Sequence, residues 1–120
     1  MGAWYNWQII QASNGSDGDF FGGSVSINEK SLVFGAPLRD NGNAPFSGAL
    51  YIFTLPGENG RNLQGKTWTE DKILTTSDMA SDDEFGSSVG ISGDTLLVGA
   101  YGKDGGKGAA YVFVLKGYVS

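Results

Sequence analysis

The side chains able to do chemistry in this sequence are carboxylates, amides and aromatics. It contains no histidine and no cysteine. That removes serine–histidine and cysteine–histidine nucleophiles, disulfides, and metals bound through imidazole or thiolate. Asp82-Asp83-Glu84 is the densest acidic cluster, and Asp17 and Asp19 stand at the matching place 64 residues earlier. Such clusters offer a loose cation site or an acidic rim. A glycosidase needs two carboxylates on opposite sides of a sugar, roughly 5–10 Å apart, and nothing in this spacing sets them so; no catalytic residue is assigned. The other candidates lie in loops. In "LRDNGNAPFSG" (38–48), Asp40, Asn41 and Asn43 could hydrogen-bond sugar hydroxyls, with Phe46 as a stacking surface. In "YGKDGGKG" (101–108), Tyr101 and Asp104 occupy the corresponding region. "PGENGRNLQGKT" (56–67) is a third variable loop. Asn-Gly and Asp-Gly are turn formers first, so each of these residues also has a purely structural reading.

The elements that must carry these loops are strands. Of 120 residues, 20 are glycine and only 3 are proline. Short runs of Val, Ile, Leu, Phe, Tyr and Trp are separated by Gly, Asn, Asp and Ser, the punctuation of an all-β chain. No long apolar stripe of helical period occurs, so no substantial helix is expected. The net charge is −5 and the isoelectric point about 4.4. The basic residues are scattered, which argues against nucleic acid as a partner. No apolar run is long enough to span a bilayer as a helix, and "MGAWYNW" lacks the basic start and apolar core of a signal peptide.

The chain says the same thing twice. "GDFFGGSVSINEKSLVFGA" (18–36) returns as "DEFGSSVGISGDTLLVGA" (83–100). With a shift of 64 residues, Trp4 falls on Trp68, Asp19 on Asp83, Phe21-Gly22 on Phe85-Gly86, and Gly35-Ala36 on Gly99-Ala100. The second copy then has a loop four residues shorter, after which "GALYIFTL" (48–55) meets "GAAYVFVL" (108–115). Each copy holds four strand-like segments, beginning with "SVSI" or "SVGI", then "LVFGA" or "LLVGA", then "ALYIF" or "AAYVFVL". The fourth begins at a tryptophan, "WYNWQII" or "WTEDKIL". The first alternates, with Val25 and Ile27 opposite Ser24 and Ser26, and Tyr51 and Phe53 share a face in the third. A bulky face backed by a shallow one suits closely stacked sheets. The polar fourth segment reads as an outer edge. Four antiparallel strands per repeat describe a propeller blade, with a duplicated sandwich as the alternative.

The phrases "FFG…LVFGAP" and "FG…LLVGAY", each followed by "GALYIF" or "GAAYVF", resemble FG-GAP repeats. These build the propellers of integrin α chains, some lectins and many secreted bacterial proteins. The resemblance runs from Trp4 to about Leu115. It implies an all-β propeller unit, no catalysis, and an extracellular or cell-surface setting. In integrin-type repeats a calcium loop joins the first two strands; here only "NEKS" (28–31) and "SGDT" (92–95) stand there. Four residues cannot wrap a cation that takes about 6–8 oxygen ligands, so no cofactor is assigned. The family's strand order makes residues 20–74 a complete blade. Residues 84–115 are then three inner strands of a second blade, and residues 4–10 an outer strand without a blade.

Propellers have about 4–8 blades, and two blades leave broad apolar faces bare: Tyr51, Phe53, Val25 and Ile27 or their counterparts. Either the chain is a fragment of a longer secreted protein, or copies associate head to tail. In the second case the 4–10 strand completes a neighbour's open blade. Three chains then give six blades and four give eight; the trimer is favoured, the tetramer next. Two functions are open: a self-assembling structural unit, and a lectin-like module binding glycan or protein on its loops. Trp4 and Trp68 are repeat equivalents, which favours a structural role. Trp7 aligns with Asp71 and is the candidate for something else, including a contact between chains.

Overall fold

The computed structural model describes residues 2–55 and 67–115, which form two antiparallel sheets. The first contains β1 (Ser24–Ile27), β2 (Ser31–Ala36), β3 (Ala49–Thr54) and β4 (Thr69–Leu74), paired in that order. The second contains β5 (Phe85–Ser92), β6 (Thr95–Ala100) and β7 (Ala109–Val114), again in order. A single short turn, α1 (Lys103–Gly106), is interrupted by left-handed Asp104 and Gly105, which agrees with the expected lack of substantial helix. Most of the loop at 56–67 lies outside the described residues.

Hairpin chemistry fixes the registers. Asn28 Oδ1 accepts the amides of Lys30 and Ser31, turning the chain so that Ile27 faces Leu32. Gly93 at φ 54 lets Ser92 pair with Thr95 across a two-residue loop. These are tight hairpins, as the four-residue links imply.

The sheets stack with the bulky face of the second on the shallow face of the first. Val33 and Leu50 from the first meet Phe85, Leu96 and Val98 from the second, all buried, with Ile52, Leu74, Tyr111 and Phe113 at the margin. The outward face of the first sheet gathers Phe21, Phe34, Tyr51 and Phe53, with Phe21 stacked on Phe34 at 5.0 Å and edge-on to Tyr51 at 5.2 Å.

One expectation is corrected. Tyr51 and Phe53 are not bare: they are 0% and 5% exposed, under Phe21, Phe34, Trp68, Ile10 and Ala12. Val25 and Ile27, at 61% and 65%, do lie in solvent. Residues 4–10 form no strand within the chain. A strand needs a ladder partner for its amides and carbonyls, and the first sheet already ends in β4. The segment is instead tied down by side chains. Gln8 donates to the Trp68 carbonyl (3.0 Å) and accepts its amide (2.9 Å), and Ser13 binds the Glu70 carboxylate at 2.7 Å.

Candidate functional site

The sheets meet along a seam built by the two repeated phrases. Residues 82–85 run beside 45–48, and the amides of Asp82, Glu84 and Phe85 donate to the carbonyls of Pro45, Phe46 and Ser47, each at 2.9 Å. Gly48 forms a parallel bridge to Phe85. A Cβ on Gly35 would overlap the Gly86 carbonyl oxygen, and one on Gly48 would overlap the Phe85 backbone. Ser24 Oγ donates to that same Gly86 carbonyl at 2.7 Å. The Phe-Gly of one repeat is thus received by the Gly-Ala segments of the other.

Each repeat is also clipped by one ion-pair network. Arg39 Nη1 lies 2.9 Å from Asp19 Oδ2, which also accepts the Ser16 amide at 3.0 Å. Arg39 further donates to the Asn14 carbonyl (2.8 Å), and the Tyr51 hydroxyl donates to Asn14 Oδ1 (2.7 Å). In the second repeat Lys103 Nζ stands 3.3 Å from Asp83 Oδ2, which accepts the Ala80 amide at 2.9 Å. Lys103 donates to the Asp78 carbonyl (2.8 Å) and Tyr111 to Asp78 Oδ1 (3.0 Å). The same clip recurs with Lys for Arg and Asp for Asn.

A family model of the FG-GAP repeat matches residues 4–53 and 68–113. The chain belongs to the FG-GAP repeat family. No curated protein sequence matches it.

These FG-GAP repeats dispose of part of the acidic-site reading. Asp19 and Asp83 are buried and face a cation supplied by the chain itself. Among the described residues, no three acidic, histidine or cysteine side chains converge as a metal would require. Arg39 and Lys103 were not singled out in the sequence, although their 64-residue spacing equals that of Asp19 and Asp83 and was the available signal.

The loop candidates divide. Asn41 serves the fold: its Nδ2 donates to Ser47 Oγ (2.6 Å) and to the Gly48 carbonyl (2.8 Å). Asp40 is exposed, but its Oδ1 accepts the Phe46 amide at 3.0 Å. Asn43 and Asp104 are exposed, the latter in the left-handed region at φ 54. Phe46 and Tyr101, 44% and 65% exposed, are brought together through Glu84. The Glu84 amide binds the Phe46 carbonyl, and its carboxylate takes the Tyr101 hydroxyl, which raises the Tyr101 pKa. Trp7 is exposed and lies in the segment held by Gln8.

The clips set a pH dependence. Hydrogen bonds from Thr76 and Tyr111, with Lys103 beside them, hold the Asp78 carboxyl below its ordinary value. Its contribution is present above the ordinary carboxylate pKa and lost as pH falls through the depressed one. For Lys103, burial opposes the charge but the Asp78 and Asp83 carboxylates prevail, raising its pKa. Burial, then Asp78, raises Tyr111; burial also raises Tyr51. These contributions are intact below the unfolded values near 10 and are lost as pH rises through the folded ones. Thermal melts should therefore be level between about pH 5 and 9 and fall on both sides. A melting temperature still rising above pH 10 would contradict the clips.

Proposed function

We propose that this protein is a non-catalytic propeller unit that assembles head to tail with copies of itself, a structural and binding scaffold. The observation that carries this reading is the match between the β7 edge of the second sheet and residues 4–10, the repeat equivalent of β4. Among the described residues the second sheet holds β5, β6 and β7, with β7 at its edge where the first sheet has β4, and residues 4–10 carry the sequence equivalent of β4. In the first repeat, β3 pairs with β4 as Leu50–Leu74, Tyr51–Ile73, Ile52–Lys72 and Phe53–Glu70, with an irregularity between Ile52 and Phe53. Transposed by the repeat, Ala110 pairs with Ile10 of a second copy, Tyr111 with Ile9, Val112 with Gln8 and Phe113 with Asn6. Trp7 falls at the irregularity. Residues 4–10 then act as the fourth strand of a neighbour's blade, residues 20–74 are the complete blade, and 84–115 are the open one. The contact is heterologous and closes into a ring. A six-bladed trimer is favoured over an eight-bladed tetramer.

Light scattering on a sizing column tests this. The expected result is a discrete species of three, or else four, times the 12.6 kDa chain mass. Removing residues 1–7 takes Trp4 to Trp7 out of the donated strand and should shift the ring toward single-chain mass on dilution without unfolding the chain, because Gln8, Ile10 and Ser13 keep their anchors. Trp4, fully exposed in the single chain, should shift its emission to the blue on assembly. A well-folded full-length chain of 12.6 kDa at every concentration would overturn the reading and return the chain to a duplicated sandwich or a piece of a longer propeller.

A second reading rests on the Phe46–Glu84–Tyr101 grouping. Two exposed aromatics beside a carboxylate, near Asp40 and Asn43, suit a glycan or peptide, and an extracellular setting accords with it. A glycan panel that raises the melting temperature of the chain, and fails to do so for Tyr101→Ala, would support it.

A further inference from the structure

We infer that the contact between copies repeats the internal seam: the shallow face of β5–β7 in one copy receives the Phe21-Gly22 face of the next. This inference rests on head-to-tail assembly and names the surface that performs it.

Burial is asymmetric between repeat equivalents. Residues lining the shallow side of the internal seam are hidden, while their repeat equivalents are exposed at the end of the chain. Val33 is 0% exposed and Leu97 is 49%. Leu50 and Ala49 are fully buried, but Ala110 and Ala109 are exposed. Ile52 is half-buried at the margin of the core, whereas Val112 is 65% exposed. Composition alone does not explain this, since each apolar residue is matched by another apolar residue.

The backbone at both open faces already has the seam conformation. At the internal seam, Gly86 sits at φ 94, Gly48 at φ 89 and Glu84 at φ 55. At the open ends, Gly22 sits at φ 88, Gly108 at φ 82 and Phe20 at φ 62. Left-handed values are costly for a phenylalanine. Gly35 has no side chain because the Gly86 carbonyl occupies that place. Gly99 repeats it, yet within its own chain a Cβ there would press only on the Ser88 hydroxyl, a movable group.

A groove lies on the opposite face. An open cleft of about 580 Å³ is lined by Gln8, Ile10, Val25, Ile27, Leu32 and Phe34, with Ser26 beside them. Their equivalents on the second sheet, Val89, Ile91 and Leu96, lie against Val33 and Leu50 in the internal core. Ile10 already rests against the aromatic cluster of the first sheet, as Leu74 rests against the internal core. Leu97 and Val112 of a second copy are therefore the residues that fill the cleft. Ser88 Oγ of that second copy donates to the Gly22 carbonyl of the copy that bears the cleft, as Ser24 does to Gly86. One bond is not repeated: Ser26 Oγ accepts the Ile91 amide at 3.2 Å, and its counterpart is Gly90.

Two variants test the seam by mass and circular dichroism. Gly99→Ala places a methyl where the second copy's Gly22 carbonyl would sit. Val112→Asp puts a charge on a residue exposed in the single chain. Both should keep the β spectrum and fall from the ring mass to 12.6 kDa. Gly35→Ala, at the internal seam, should instead lower the melting temperature of the chain itself. Should Gly99→Ala fail to fold, Val112→Asp alone decides. An intact ring in Val112→Asp overturns this seam while leaving head-to-tail assembly standing. A wild-type chain that is monomeric removes both.

Discussion

Phe85→Ala lowers the melting temperature of the single chain by roughly 12–20 °C. Phe85 is 2% exposed and lies edge-on to Tyr111 at 5.3 Å and to Phe113 at 6.1 Å. It also touches both sheets, packing with Val33 and Leu50 from the first. Truncating a buried phenylalanine costs about 3–5 kcal/mol, and each kcal/mol is worth about 4 °C at this chain length. The repeat supplies an internal control. Phe21 is the same residue in the same motif, but it is only partly buried in the single chain. Measured in the assembly-blocked Val112→Asp background, Phe21→Ala should cost clearly less. Equal losses at the two positions would show that burial in the seam is not what makes Phe85 costly to lose.

Asp19→Ala is the second large effect, with an expected loss of about 3 kcal/mol. Asp19 is 7% exposed and holds both Arg39 and the Ser16 amide. Removing it strands a mostly buried guanidinium, which also donates to the neutral Asn14 carbonyl. Asp83→Ala should be milder, because Lys103 retains Asp78 at 3.3 Å. Urea titrations of both variants check the order. Asp83→Ala proving the more damaging of the two would sink this account of the clips.

Much of the fold was legible because the repeat reports itself. Phe-Gly and Gly-Ala recur in order, the Ser/Val alternation assigns faces, and the short hairpin links fix the registers. Two things were hidden. The burial of Tyr51 and Phe53 depends on Ile10 and Ala12, which cover them from a segment that forms no strand. Pattern reading assigns a segment to strand or loop and has no category for a strap held by a glutamine on a backbone peptide. The clips were hidden for another reason. Arg39 and Asp19 are 20 residues apart and meet only when two loops fold over one end of the sheet. Of the ligand candidates, Asn41 illustrates the ambiguity of turn residues: one side chain fits sugar recognition or loop closure, and here it closes the loop.

The strap also bears on the entropy of association. Gln8, Ile10, Ala12, Ser13 and Asn14 are already held on the first sheet in the isolated chain. Fixing the backbone of one residue costs roughly 1–2 kcal/mol, so ordering residues 8–14 in advance takes on the order of 7–14 kcal/mol out of the docking step. In the proposed assembly, the exposed residues Trp4 to Asn6 are the part of the segment left to order. Folding and association are thereby separated in that assembly: the chain loses its conformational freedom alone, and a second copy would meet it nearly as one rigid body meets another.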